Sequence, residues 1–185
     1  MSANPEIFYL HQIKEIYGVD LAKDLVSHPG WRPCVCMQRI HKRDANYTYL
    51  EISYLENNIV QATRNTAIIS PGNHTEIAYW SEEAPKKSLA VHRGMGYLII
   101  GDPNSRTTEK ILIGSGIQQE IYLPSGRFYT IQTEPSAARP LVISGFYQPP
   151  INWEGLEFEL KPGQNSVQAE GEIRNLPKDF RSSLI

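Results

Sequence analysis

The feature that most constrains this chain is how it is punctuated. From Pro33 onward, short apolar runs rich in Ile, Val, Tyr and Leu occupy residues 34–40, 47–54, 66–69, 76–81, 88–92, 96–100, 108–113, 120–123, 128–133, 141–147 and 156–160. Turn clusters such as Pro71-Gly72-Asn73, Asp102-Pro103-Asn104-Ser105 and Pro124-Ser125-Gly126 separate them, giving strands at roughly ten-residue spacing. Runs this short cannot be buried as helices. They can be buried as the strands of an antiparallel β-sandwich or barrel. No long helical pattern lies between them, which disfavours a parallel α/β sheet. The start of the chain reads differently. Asn4-Pro5-Glu6 supplies a capping Asn, a Pro for the first helical position and an acid for the first turn. Ile7, Leu10, Ile13 and Ile16-Tyr17 then recur near helical spacing until Gly18. A second short helix is expected over 20–26, ended by His28-Pro29-Gly30. Predicted boundaries are an N-terminal helical segment at 1–32, a barrel at 33–160 and a polar C-terminal tail at 161–185, with a short final helix around 177–183.

Composition narrows the class. A chain of 185 residues fits one domain, and 18 basic against 20 acidic residues leaves a net charge of −2. That balance gives no broad basic footprint, so no nucleic-acid partner is expected. Hydrophobic residues at 41% and aromatics at 10% are too many for a disordered chain. The apolar runs are too short to span a membrane as helices. No basic segment followed by an apolar one opens the sequence, so a cytoplasmic location is the expectation. Cys34 and Cys36 form C-x-C with no second pair. They read as small buried or half-buried thiols rather than as a metal or redox motif.

Two stretches resemble the two motifs of cupins, the small double-stranded β-helix barrels. Ser88-Leu89-Ala90-Val91-His92-Arg93-Gly94-Met95-Gly96-Tyr97-Leu98-Ile99-Ile100-Gly101-Asp102 resembles the strand, glycine turn and strand that close the first cupin motif. Ile121-Tyr122-Leu123-Pro124-Ser125-Gly126-Arg127-Phe128-Tyr129 resembles the second, where a Pro-x-Gly turn precedes a ligand-bearing strand. A narrower resemblance is to a cupin subfamily with a His-Pro-Glu-Gly-Gly segment. Here His28-Pro29-Gly30-Trp31 stands in that place, with Arg64-Asn65-Thr66-Ala67-Ile68-Ile69 and the stretch from Gly145 to Phe158 further along. The resemblance covers about residues 20–160. It implies an all-β cupin barrel, a small-molecule ligand in its mouth and a homodimer paired through sheet edges.

Most enzymatic cupins bind a divalent metal through His-x-His, a Glu and a later His. Placed on this chain by the resemblance, the Glu position falls on Lys87 and the last His position on Tyr129. The His-x-His positions fall on Trp80/Glu82 or Ser81/Glu83. None is an imidazole, and a Lys at the centre repels a dication. His11, His28, His41, His74 and His92 show no ligand spacing. No metal and no cofactor is therefore expected.

What remains at those positions is a polar set, Ser81, Glu83, Lys87 and Tyr129, with Arg64 and His92 expected nearby. In an apolar barrel such groups suit proton transfer in an isomerase, epimerase, cyclase or lyase. Glu83 is then the base or acid, Tyr129 the hydroxyl partner and Lys87 the anion anchor. A binding module that only holds the ligand uses the same residues; a metal-dependent oxygenase is a weaker alternative. The bland reading of Glu82, Glu83, Lys86 and Lys87 is a solvated charged loop around Pro85. For Tyr129, strand alternation puts residues 129 and 131 on one face, so Tyr129 points inward if Ile131 does. Trp80, Phe128, Phe146 and Trp153 read as core aromatics, with Phe146 also a candidate ligand contact. Arg64 reads either as a ligand contact or as a partner for a buried carboxylate.

Overall fold

The structure is a computed structural model, and it describes residues 5–23, 28–42, 45–80, 86–117 and 120–148. One helix, α1 (Pro5–Tyr17), precedes ten strands. These are β1 (Arg32–Lys42), β2 (Ala45–Glu56), β3 (Ile59–Ile69), β4 (Ala78–Trp80) and β5 (Lys86–Arg93), then β6 (Met95–Asp102), β7 (Thr107–Gly114), β8 (Glu120–Leu123), β9 (Arg127–Thr133) and β10 (Leu141–Gln148). The helix stops where the sequence says it should. Gly18 takes the left-handed conformation at φ 68°, and its N–H donates to the Lys14 carbonyl at 2.8 Å, which is the αL cap that glycine adopts without a Cβ penalty. Of the expected second helix, residues 21–23 form a turn and 24–27 lie outside the described residues, as do the run at 156–160 and the expected final helix.

The strands form two antiparallel sheets, one ordered β1-β2-β3-β10-β5-β8 and the other β4-β9-β6-β7. From β3 onward the order β3-β10-β5-β8 facing β4-β9-β6-β7 is that of a double-stranded β-helix, the jelly roll in which two Greek keys wrap one core. The β1–β2 hairpin, paired from Arg32↔Leu55 to Lys42↔Ala45, widens the first sheet by two strands. Among the described residues the fold is therefore all-β, with one helix at its start.

Alternation along the strands places two different cores on the two faces of the six-stranded sheet. Ile69, Leu89, Ile121, Leu123, Leu141 and Ile143 face Leu98, Ile100, Ile113 and Ile131 of the other sheet and fill the barrel. Their sequence neighbours Leu50, Ile52, Tyr54, Ile68 and Val142 point the other way, onto Leu10 and Ile13 of α1 and onto Val19 and Leu21 just after it. Each fully buried aliphatic side chain contributes roughly 1.5–3 kcal/mol of transfer free energy. Both faces of the central strands are thus apolar and covered, as they are in sheets buried on both sides. The edge strand β1 is covered less completely. Val35 packs against the cluster under α1, and alternation turns Cys34 away from it, so this thiol is exposed rather than buried or half-buried as expected.

Candidate functional site

Toward one end of the barrel the inner wall changes chemistry. Strand register aligns Ser53 on β2, Thr63 on β3, Tyr147 on β10, Lys87 on β5 and Leu123 on β8 in one row. The next row inward carries Glu51, Asn65, Gly145, Leu89 and Ile121. Lys87 is only 6% exposed. Its ammonium donates to the Tyr129 hydroxyl at 2.7 Å, and it lies 5.1 Å from the centroid of the Trp80 ring and 5.0 Å from that of Tyr129. Both rings offer their negative faces to the cation. An ammonium has donors only, so Tyr129 accepts from Lys87 and its own hydrogen is left for a third group. Ile131, two residues on, is buried in the barrel core, and Tyr129 packs against the same cluster.

Tyr47 brings in the rim of the second sheet. Its hydroxyl accepts a hydrogen bond from the backbone N–H of Glu76. Burial, and then the Glu76 carboxylate, push its phenol well above the usual range, and its hydroxyl also feels Tyr129 and Lys87. Tyr47, Glu76, Tyr129 and Lys87 therefore share one electrostatic neighbourhood, roofed by Trp80. Deeper on the same wall, burial raises the Glu51 carboxyl. Thr63 is fully buried beside it, and its hydroxyl finds no hydrogen-bond partner among the described residues. Such an arrangement can hold a small anion against the ammonium, donate a hydrogen bond from Tyr129, and stack a planar group on Trp80.

Of the residues singled out from the sequence, Lys87 and Tyr129 are brought together. Ser81 and Glu83 lie outside the described residues. Phe146 stands on β10 between Arg64 and Ser88 in the register, and its side chain lies outside the described part. Arg64 and His92 are not in this cluster. They sit on the opposite face of the same sheet, under the N-terminal segment. Arg64 Nη1 and the Tyr54 hydroxyl each donate to the Leu21 carbonyl at 3.4 Å, and Arg93 donates to the carbonyl of Tyr17. His92 Nε2 and Ser144 Oγ are 2.8 Å apart, and Ser144 Oγ and Thr66 Oγ1 are 2.7 Å apart. The physical reason is alternation combined with a bulge. Lys87, Leu89 and Val91 face the barrel, so His92 faces away from it, and the register slip between Val142↔Arg93 and Ile143↔Val91 turns Arg93 out as well. Burial, and then the charge of Arg64, lower His92 to about 4; burial lowers Arg64 to about 10. Reading the sequence missed Tyr47, Glu76, Glu51 and Asn65. A signal for the first existed: Tyr47, Tyr49 and Glu51 alternate with the apolar Leu50, Ile52 and Tyr54.

Among the described residues, the ammonium of Lys87, the phenols of Tyr47 and Tyr129 and the indole of Trp80 are poor ligands for a divalent metal, which selects imidazoles and carboxylates. Among the described residues no group of three or more His, Cys, Asp or Glu could hold one. No described helix is long and apolar enough to cross a membrane.

No protein-family model matches the sequence, and no curated protein does. Solved structures similar to it include the capsular polysaccharide assembling protein CapF from Staphylococcus aureus, at 12% identity and a TM-score of 0.47 over 70% of this chain and 33% of that one. A predicted oxalate decarboxylase from Thermotoga maritima is 14% identical, with a TM-score of 0.43 over 60% of this chain and 90% of that one. The cupin domain of Drosophila melanogaster CENP-C is 12% identical, with a TM-score of 0.43 over 59% and 73%. The chain thus spans a third of the length of the CapF protein that it matches. The strand order by itself gives this chain the double-stranded β-helix fold.

Proposed function

We propose that the mouth of this barrel binds a small anionic metabolite, a carboxylate above all, with Lys87 as the anchor, Tyr129 as hydrogen-bond donor and no metal or other cofactor. The observation that carries this reading is an ammonium 6% exposed, with a phenol and two aromatic faces among its contacts, at the edge of an aliphatic core. Removing an ammonium from water costs several kcal/mol, and the aliphatic core needs no such group. An anion site does need one. The proposed unit is a cytoplasmic homodimer. The free, exposed thiol of Cys34 suits a reducing compartment. Among the described residues, the 11-residue β1 ends the six-stranded sheet, an edge that a second copy could engage.

A second reading, an isomerase, epimerase, cyclase or lyase working by proton transfer, draws on the 2.7 Å contact between Lys87 and Tyr129. A phenol so held can pass its hydrogen to a ligand and recover it. Glu51, on the same wall, is the described carboxyl that burial raises. The test is calorimetric titration of the full chain with oxalate, 2-oxoglutarate, benzoate and phosphate. At least one carboxylate should bind with Kd of about 1 mM or tighter, and Lys87→Met should weaken it roughly tenfold or more. Equal binding by Lys87→Met, or no heat from any of the four, overturns the proposal. For the second reading, Tyr129→Phe abolishes turnover while most binding survives.

A further inference from the structure

We propose that Gly145 is the positioning residue of this site: its missing side chain leaves the groove across β10 in which the stem of Lys87 lies. The functional meaning rests on the anion-site reading above; the geometry stands by itself. Gly145 is on the inner face of β10, in phase with Leu141 and Ile143, and it is paired with Asn65 on one side and Leu89 on the other. A Cβ at 145 would stand 2.6 Å from Cε of Lys87 and 3.5 Å from its Nζ. The first distance is far inside van der Waals contact. Leu89 Cδ2, at 3.4 Å, would be an ordinary neighbour.

These distances say where the lysine goes. Its register partner on β10 is Tyr147, yet its terminal atoms lie over Gly145, one row deeper in the barrel. That lean carries Nζ to Tyr129 on the facing sheet. A β-carbon at 145 requires the end of the Lys87 stem to shift off β10, and on this proposal that shift takes the ammonium away from the phenol.

Backbone geometry gives no competing reason for glycine here. Gly145 is absent from the residues with positive φ, so alanine can adopt its conformation. A glycine inside a strand packs nothing and costs roughly 0.5–1 kcal/mol relative to alanine. The rest of β10 from Leu141 to Ile143 is fully buried aliphatic residues. Filling position 145 should therefore stabilise the barrel unless Lys87 needs the space.

The experiment is a double-mutant cycle on the full chain: parent, Gly145→Ala, Lys87→Ala and the pair together. Each is unfolded in urea, and each protein retaining Lys87 is reductively methylated with deuterated formaldehyde and read by mass spectrometry. In the parent, Lys87 should react far more slowly than the exposed Lys110, and in Gly145→Ala its rate should rise toward that of Lys110. Gly145→Ala should favour folding less in the parent background than once Lys87 is alanine, a coupling of about threefold or more in the folding equilibrium constant. If Gly145→Ala does not fold, the double variant should. Equal cost in both backgrounds, failure of both proteins carrying Gly145→Ala to fold, or a folded Gly145→Ala with Lys87 still protected each overturns the proposal. No ligand enters these measurements, so a failed anion titration and a failed positioning role are told apart.

Discussion

Replacing Lys87 by Met separates a site residue from a strut. Methionine keeps the length and apolar character of the stem and removes only the charge. In the folded protein the ammonium gains a charge-assisted hydrogen bond from its contact with Tyr129 at 2.7 Å, worth about 1.5–3 kcal/mol. Two aromatic faces at 5.1 and 5.0 Å add roughly 0.5–2 kcal/mol each. Against this stands the desolvation of an ammonium that is 6% exposed, several kcal/mol for a buried ion. The terms nearly cancel, and well-packed apolar replacements of buried charges are neutral or stabilising by about 1–4 kcal/mol. Tyr129 is only partly buried, so water can satisfy its hydroxyl in the variant. Lys87→Met should therefore unfold at the same urea concentration or higher, with a melting temperature unchanged or raised by roughly 2–4 °C per kcal/mol gained. Far-UV circular dichroism is the assay to use, because Trp80 sits beside the substitution and its fluorescence changes with it. A loss of more than about 2 kcal/mol, the size expected when a structural buried pair is broken, would refute the reasoning and make Lys87 part of the scaffold.

Two further predictions concern the outer face of the same sheet. His92, lowered from 6.5 to about 4 by burial and then by Arg64, stays neutral in the folded state while the unfolded chain takes up a proton. Stability is thus unaffected above the unfolded value and falls as pH drops from about 6.5 to about 4, by about 3 kcal/mol in all. His92→Gln removes that part of the acid sensitivity, and urea midpoints for parent and variant at pH 7, 5.5 and 4.5 should converge or cross; parallel curves would show that the imidazole does not titrate there. Ser144→Ala leaves the Thr66 hydroxyl and His92 Nε2 without the oxygen they share. It should cost about 1–3 kcal/mol in the same urea assay, with an anion affinity equal to that of the parent.

The strands were legible because turn residues delimit them: Pro124-Ser125-Gly126 separates β8 from β9, and Asp102-Pro103-Asn104-Ser105 separates β6 from β7. The start of β3 was not. It begins at Ile59, well before the apolar run at 66–69. Thr63, Arg64, Asn65 and Thr66 are polar and nonetheless buried, so hydropathy hides them. Alternation ties Tyr129 to the face of Ile131, although Phe128 and Thr130 on the other face of β9 are buried as well. The same logic could not place Arg64 or His92. Ile68 and Ile69 are both buried, as are Val142 and Ile143, one of each pair in the barrel and the other under α1. When both faces of a strand are apolar, alternation survives but its phase does not tell inside from outside.

That two-sided burial also explains why the sheet carries two polar sets with different chemistry. On the outer face, Thr66, Ser144 and His92 form a closed chain of hydrogen bonds, while Arg64 and Tyr54 converge on one carbonyl of the segment after α1. Apart from Arg64 Nε, these groups are bound to one another or to that carbonyl, and a ligand could reach them only by displacing the N-terminal segment and its apolar contacts. On the inner face, the contacts of Lys87 include two π-faces and a phenol oxygen. Those partners can be exchanged for a carboxylate at little cost, because an oxyanion replaces the phenol as acceptor and the rings keep their place beside the cation. A polar group that the fold uses for support is bound by partners it cannot release, whereas a binding group is held by partners that it can. On the anion-site proposal, the polarity of the two faces divides at β3 and β10: the side facing α1 holds the chain together, and the side facing Tyr129 would meet the ligand.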